Sequence, residues 1–408
     1  MTTPARPAAP AWSSLTGRRI LDLSRLLPGP YATSMLADLG ADVIKVESPH
    51  TGDPLRIAPD LFDALNRNKR SVTLDLRDEG GRNTFLDLAR TADAVVESFR
   101  PGVLDGMGLG FAALHEANPR LVLCSLSGYG QSGPYAQKPG HELNFLGLSG
   151  FFTVPGRLDG EITRPGVRIG DMAGAMHAAL ALTAALGNGT EGQHIDVSLS
   201  ESITAWCSLF ALPLRDIPDP LEAGLVQGDN DTFTTADGRR LSLATFEDKF
   251  WHRFRTELSG EFPELDTDAY DRRADRTAAR QTVSDLLNGV FRARDHAWWQ
   301  QRLDAIDAPW APVLTTPGEL LADPHTTARH LFSTPADPTA CPQARFPVTF
   351  GAGLETFRAP APALGEHTEE LLARLTPRPA PSKVPRPPRP DEAMSHRQDD
   401  SRRITVRR

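Results

Sequence analysis

The sequence predicts a doubly wound α/β protein with a smaller α+β unit attached, and three observations point that way. From Arg18 to Leu199 short β-branched runs alternate with helix-length segments, which is the pattern of a parallel sheet covered by helices. After Pro213 the alternation stops and a hairpin signal appears around Asp237-Gly238. The chain has 408 residues, 40% hydrophobic and 24% charged, so it can bury a large core and is no disulfide-stapled scaffold.

Strands are expected at 20–23, 42–46, 71–76, 93–97, 121–126 and 194–199, each a short run rich in Val, Ile or Leu. Helices are expected between them at 31–39, 79–91, 111–118 and 172–186, the last with Asp171 as N-cap and Gly187 as stop. Pro213, Pro218 and Pro220 mark 213–230 as a linker, and 17–212 as the first part of the large domain. The small domain, 231–308, opens with the hairpin 232–235 and 240–244, followed by helices at 248–258, 278–291 and 296–306. Residues 309–376 are expected to return to the large domain, with helices at 317–322 and 366–375. Residues 1–16 read as a flexible start. Residues 377–408 hold seven prolines, nine basic and four acidic side chains and little to bury, which predicts a disordered basic tail.

The net charge is −8, which gives no footprint for nucleic acid. Cys124, Cys207 and Cys341 are far apart with no Cys-x-x-Cys spacing, so neither a disulfide framework nor a metal site is legible, and a reducing, cytoplasmic setting is expected. The start is polar, and the longest near-apolar stretch, 173–186, is short and interrupted, so neither secretion nor membrane insertion is expected.

The first βα turn reads LDLSRLLPGPYATSMLADLGADVIKVE, followed by GDPLR and NRNKRSVTLDLR. Further on come VESFRPGVLDGMGLG, LVLCSLSGYGQSGPY, GHELNFLGLSG, RIGDMAGAMHAAL, ADPHTTARHLF and APALGEHTEELL. These ordered motifs, from about Gly17 to Leu375, resemble the class III CoA-transferase superfamily of CaiB/BaiF type, which also contains the α-methylacyl-CoA racemases. The resemblance implies a split Rossmann-like large domain, an intertwined homodimer, an acyl-CoA substrate, and no cofactor beyond the CoA that the substrate carries.

Within that resemblance Asp171 matches the aspartate that both branches share. In transferases it takes the acyl group as a mixed anhydride and then CoA as a thioester; in racemases it is a proton-transfer base. Gly140-His141-Glu142-Leu143-Asn144-Phe145 resembles the racemase segment Gly-His-Asp-Ile-Asn-Tyr, and His141 lies 30 residues before Asp171 as in that branch. Glu247, just after the hairpin, matches an acidic residue that reaches the partner's active site and would orient His141. The first expectation is therefore a racemase or epimerase of 2-methylacyl-CoA thioesters, with His141 and Asp171 on opposite faces of the α-carbon. Free N–H groups of Met172 and Ala173 at the helix start would receive the enolate oxygen. The alternative is a CoA-transferase with Asp171 as carboxylate nucleophile. A third reading is an acyl-CoA binder without catalysis.

For CoA, the resemblance points to Leu74, Arg77, Phe99 and Lys138. Ser48 and Gly106 stand where relatives carry arginines, and Arg56, Arg67, Lys69 and Arg70 are the candidates to compensate, Arg70 foremost. Phe145, Phe151, Phe152 and Met172 would line an acyl groove. His177, His325 and His367 have no metal-ligand partners at helical spacing.

Overall fold

The computed structural model describes residues 13–188, 191–333, 339–351, 353–354 and 356–375; the expected tail and most of the N-terminal segment lie outside the described residues. Strands β1 (Arg19–Asp22), β2 (Asp42–Glu47), β3 (Arg70–Thr73), β4 (Ala94–Glu97), β5 (Val122–Ser127) and β6 (His194–Ser198) form one sheet. Their order is β3-β2-β1-β4-β5-β6, and every neighbouring pair is parallel. Strand order reverses between β1 and β4, so the loops leaving these two strands diverge to opposite faces. A crevice opens there at the carboxyl edge of the sheet, the place where doubly wound folds bind ligands.

The helices Pro28–Asp38 and Ile169–Asn188 pack together on one face of this sheet. Ala32, Leu36, Ala175, Ala178 and Leu182 are buried there with Ile20, Val43, Val96 and Cys124. Small side chains let the two helices approach the sheet closely. The helix Ile169–Asn188 starts earlier than the 172–186 expected from sequence, and its segment Ile169–Gly187, of mean hydropathy 1.3, is long and apolar enough to cross a membrane. Its alanine and leucine stripe faces the sheet, which accounts for its apolar composition.

A second, antiparallel sheet has the order β7 (Asn230–Thr234), β8 (Arg240–Ala244), β9 (Trp310–Pro312). The hairpin turns at Asp237-Gly238 with Gly238 at φ 79, the left-handed geometry that this dipeptide suits. Its core is aromatic: Phe233, Trp251, Phe254, Phe291 and Trp299 are all buried together with Leu241 and Leu287. The expected linker, 213–230, overlaps two short 3-10 turns, Leu212–Leu214 and Pro220–Ala223, and ends on Asn230, the first residue of β7. The chain then comes back to the first sheet: His367 donates its N–H to the Ser71 carbonyl at 2.9 Å, and Thr73 N–H donates to Thr368 Oγ1 at 3.1 Å. The described residues up to Thr368 belong to one compact unit. Of the second, 369–375 are described and hold the ion pair Arg374–Glu370 at 3.0 Å.

Candidate active site

Two cavities meet at the β1/β4 crevice. The larger, about 680 Å³, is lined by residues that include Arg25, Phe99, Arg100, Lys138, His141, Glu142 and Asp171. The smaller, about 350 Å³, is lined by Ser48, Leu74, Asp75, Arg77 and Met107 among others. Arg25 and Phe99 line both, so the two form one groove running from the β2 and β3 loops to the start of the helix Ile169–Asn188. An elongated ligand with a reactive end and a charged end fits such a shape.

Asp171 sits in the first turn of that helix, which begins at Ile169. It is therefore inside the helix and not its N-cap, and this corrects the expectation from sequence. Met172 N–H is already bonded to the Arg168 carbonyl at 3.0 Å, so it is no free donor for an oxyanion. Burial pushes the Asp171 carboxyl up to about 6, the nearby Glu142 carboxylate adds to the rise, and Arg168 opposes it. Glu142 lies in the first turn of the helix Glu142–Leu148 and is 7% exposed. One of its oxygens, Oε1, accepts the Gly170 N–H at 2.9 Å, while Oε2 is buried with no protein partner. Glu142 thus ties the start of Asp171's helix to the His141 segment and presents a second carboxylate to the same cleft.

His141 stands just before the helix Glu142–Leu148 and is exposed, with its backbone N–H held by Asn144 Oδ1 at 3.0 Å. Phe145 beneath it is wedged between two glycines: a Cβ on Gly128 or Gly140 would come within 2.4 or 2.7 Å of its ring. This close approach fixes the turn that carries His141 into the cleft. Phe145 lines the cleft from its core position, 5% exposed, but the rest of the expected acyl groove is elsewhere. Phe151 and Phe152 line a separate apolar cavity of about 600 Å³ beside Trp206 and Phe210, and Met172 lines neither.

The expected CoA residues divide. Leu74 and Arg77 line the small cavity, Phe99 the junction and Lys138 the large cavity, where its Nζ lies 3.7 Å from the Tyr135 ring centre. Arg77 is largely exposed and pairs with Asp75 at 3.1 Å, which holds that carboxyl well below the usual range. Arg70 is elsewhere. It opens β3 at the amino edge of the sheet and binds Asp42 there at 2.6 Å, so it is a fastening between strands and not a CoA contact. The other compensating cations are committed too. Arg56 holds Glu47 with both ends of its guanidinium (2.8 and 2.7 Å), Arg67 holds Asp38 (2.6 Å), and fully buried Lys69 holds Asp22 (3.0 Å). Ser48 does face the small cavity, and nothing stands within 4 Å of a side chain added at Gly106. Glu247 lies outside both cavities, half exposed and paired with Lys249 at 2.9 Å.

Arg25 is the cation that sequence reasoning passed over. It stands three residues after the end of β1, in the loop at the strand-order reversal, and its guanidinium lies 4.9 Å from the Phe99 ring centre. Its place at the carboxyl end of the first strand is the signal that singles it out. Among the described residues no group of three His, Cys, Asp or Glu side chains is arranged to hold a metal ion.

The model of CoA-transferase family III matches residues 15–368. The chain belongs to CoA-transferase family III. It is 32% identical over 388 residues to a succinate–glutarate CoA-transferase of Agrobacterium fabrum, covering 88% of this chain and 95% of that protein. It is 31% identical over 370 residues to the human α-methylacyl-CoA racemase, covering 88% and 92%. A crystal structure of a CaiB/BaiF family protein from Brucella suis superposes with a TM-score of 0.78 at 29% identity, covering 89% of this chain and all of that one. Family III membership makes the protein an enzyme of the CoA-transferase and racemase type.

Proposed function

We propose that the protein is a CoA-transferase that moves CoA between carboxylic acids through covalent intermediates on Asp171. The observation that supports this reading most is the Asp171 carboxyl itself, raised to about 6 and lining a cleft that shares Arg25 and Phe99 with a second cavity. Such a carboxylate is ionised at neutral pH yet more basic, and so more nucleophilic, than an exposed aspartate. Similarity to proteins named CoA-transferases, the Agrobacterium protein among them, favours the same branch.

The steps balance without metal or redox chemistry. An Asp171 oxygen attacks the thioester carbonyl of the donor acyl-CoA and expels CoA thiolate, leaving a mixed anhydride. The thiolate attacks the Asp171 carbonyl, releasing the first acid and leaving an aspartyl thioester. The acceptor's carboxylate attacks that thioester and re-forms an anhydride, and CoA thiolate then attacks the acyl carbonyl to release the new acyl-CoA and free Asp171. Glu142 positions the start of the helix, and the cations Arg25, Arg100 and Lys138 offset the charge of two anionic substrates in one cleft.

A racemase is the second reading, favoured by one observation: His141 and Asp171 line the same cleft. The two are separated by incubating the protein with an acyl-CoA and an ¹⁸O-labelled acceptor acid. A transferase forms the new acyl-CoA with ping-pong kinetics and leaves ¹⁸O on Asp171, detectable in its peptide. Deuterium uptake at the α-carbon of 2-methylacyl-CoA in heavy water, without transfer, overturns the proposal in favour of the racemase. CoA binding with neither reaction overturns both.

The same reading includes a homodimer in which Glu247 reaches the partner's cleft. The helices Ile169–Asn188 and Leu199–Ala211 leave Leu180, Leu209 and Phe210 more than half exposed, apolar side chains that a second copy would cover. Sedimentation at low concentration tests it, and a native-like species of 44.4 kDa would count against it.

A further inference from the structure

Two buried ion pairs lie close to β1, and the residues of one of them, Lys45 and Asp53, line the smaller cavity beside Ser24 and Arg25. Lys69 binds Asp22 deep in the fold, whereas the second pair, Lys45 with Asp53 (2.8 Å, side chains 1% and 0% exposed), touches the ligand-facing loop itself. Lys45 Nζ donates to the Ser24 carbonyl at 3.1 Å. Asp53 Oδ1 accepts the Leu26 N–H at 3.2 Å, and also the Leu55 N–H at 2.9 Å. The pair therefore grips the backbone on both sides of Arg25, and Arg25's own N–H is held by Ser98 Oγ at 3.1 Å.

The grip has something to resist. Leu26 has φ 64, in the left-handed region that a leucine adopts only when its surroundings impose it. Released, the turn would relax to φ below zero and carry Arg25 off the Phe99 ring and away from the junction of the two cavities.

We propose that the Lys45–Asp53 ion pair is a positioning device: it holds Ser24–Leu26 in its left-handed turn so that the Arg25 guanidinium stays over Phe99 and receives an oxyanion of the bound ligand. That oxyanion is a phosphate of CoA or the carboxylate of the acid. Lys45 and Asp53 act through Arg25 and do not touch the reacting atoms. The acid arm rests on the transferase reading; the CoA arm does not, because equilibrium binding of CoA needs no turnover, so failure of that reading leaves the CoA arm measurable.

The test is a double-mutant cycle on the full chain, read as the dissociation constant for CoA and as KM for the acceptor acid. Arg25→Ala is expected to weaken one of the two by about tenfold, as loss of one charge-assisted contact does. Asp53→Asn is expected to weaken the same one by a similar factor in the wild type, and to add less than about twofold in the Arg25→Ala background. A loss in the CoA constant identifies a phosphate, a loss confined to KM for the acid identifies its carboxylate, and either supports the device. Should Asp53→Asn fail to fold, the paired replacement Lys45→Met with Asp53→Leu removes both charges while keeping the interior filled, and takes its place in the cycle. Equal losses with and without Arg25, or no change in either constant on Arg25→Ala, overturn the proposal.

Discussion

Replacing Asp171 by Asn is expected to make the protein inactive and more stable at the same time. The folded carboxyl titrates at about 6 against an ordinary value of 3.8. Between these two values the folded state holds a proton that the unfolded chain has released, so stability falls as pH rises through this window and the whole penalty is present above 6. The rise of about two pH units corresponds to about 3 kcal/mol at 1.36 kcal/mol per unit. Asp171 is not fully buried, so solvent screening reduces this to about 1–2 kcal/mol. The Asn variant removes the charge and can donate a hydrogen bond toward Glu142. Urea unfolding of both proteins from pH 4 to pH 8 should show the variant more stable by that amount at pH 8, with the gain shrinking below pH 6 and gone near pH 4. Transfer activity should fall by at least about 10³-fold, since an amide forms no anhydride. A variant no more stable than wild type at pH 8, or a gain that does not change with pH, would refute the electrostatic account of Asp171.

In the wild type kcat/KM should rise with pH through about 6, because the nucleophile is the ionised Asp171. His141→Ala should lower transfer by less than about tenfold, because an exposed imidazole outside the covalent sequence contributes at most to binding; a loss of all turnover, with α-proton exchange in the wild type by NMR, would return the racemase reading. Gly106→Arg should tighten CoA binding by up to about tenfold in calorimetry, because the position opens to free space beside Met107 and the small cavity. Lys69→Met should cost about 3–5 kcal/mol in urea unfolding, because it leaves Asp22, which Lys69 and Lys45 hold down at about 2 against the pull of burial, without its main partner.

Most of the large sheet was legible because its central strands are short runs buried on both faces, as β4 and β5 are along their whole length, whereas the edge strand β6 is exposed at His194 and Asp196. Helices with weaker signals were missed. The helix Leu199–Ala211 starts on the residue after β6, so one apolar run covers a strand and a helix and periodicity does not divide them. The signal that divides them is Ser198, whose Oγ accepts the Glu201 N–H at 3.2 Å: Ser-x-x-Glu is a capping sequence. The helix Glu142–Leu148 is only seven residues long and contains Gly147, so no window averages enough helical character to reveal it. β9 is three residues, two of them exposed, and exists by pairing with β8 more than by its own pattern.

In the site, resemblance located His141 and Asp171 in one cleft, while Arg70, chosen as a compensating cation, is one that strand polarity alone could have excluded. In a parallel sheet all ligand-facing loops leave the same edge, so a residue that opens a strand stands a strand's length from the ligand, while one that follows a strand stands beside it. Arg70 opens β3 and pairs with Asp42 at the far edge; Arg25 follows β1 and lines both cavities. The same rule explains why Arg56, Arg67 and Lys69 could not be told from binding residues by type. Each is a cation near the motifs, and what decides its role is whether an acidic side chain already faces it: Glu47, Asp38 and Asp22 do. Those acids come from other elements of the fold, so no local pattern reveals the pairing. Arg25 differs in having an aromatic face and backbone fastenings around it in place of a carboxylate, which leaves its charge directed at the groove. On the proposal made above, the loop that the Lys45–Asp53 pair holds in place then shares anion binding with Arg77, Arg100 and Lys138, the other cations that line the groove.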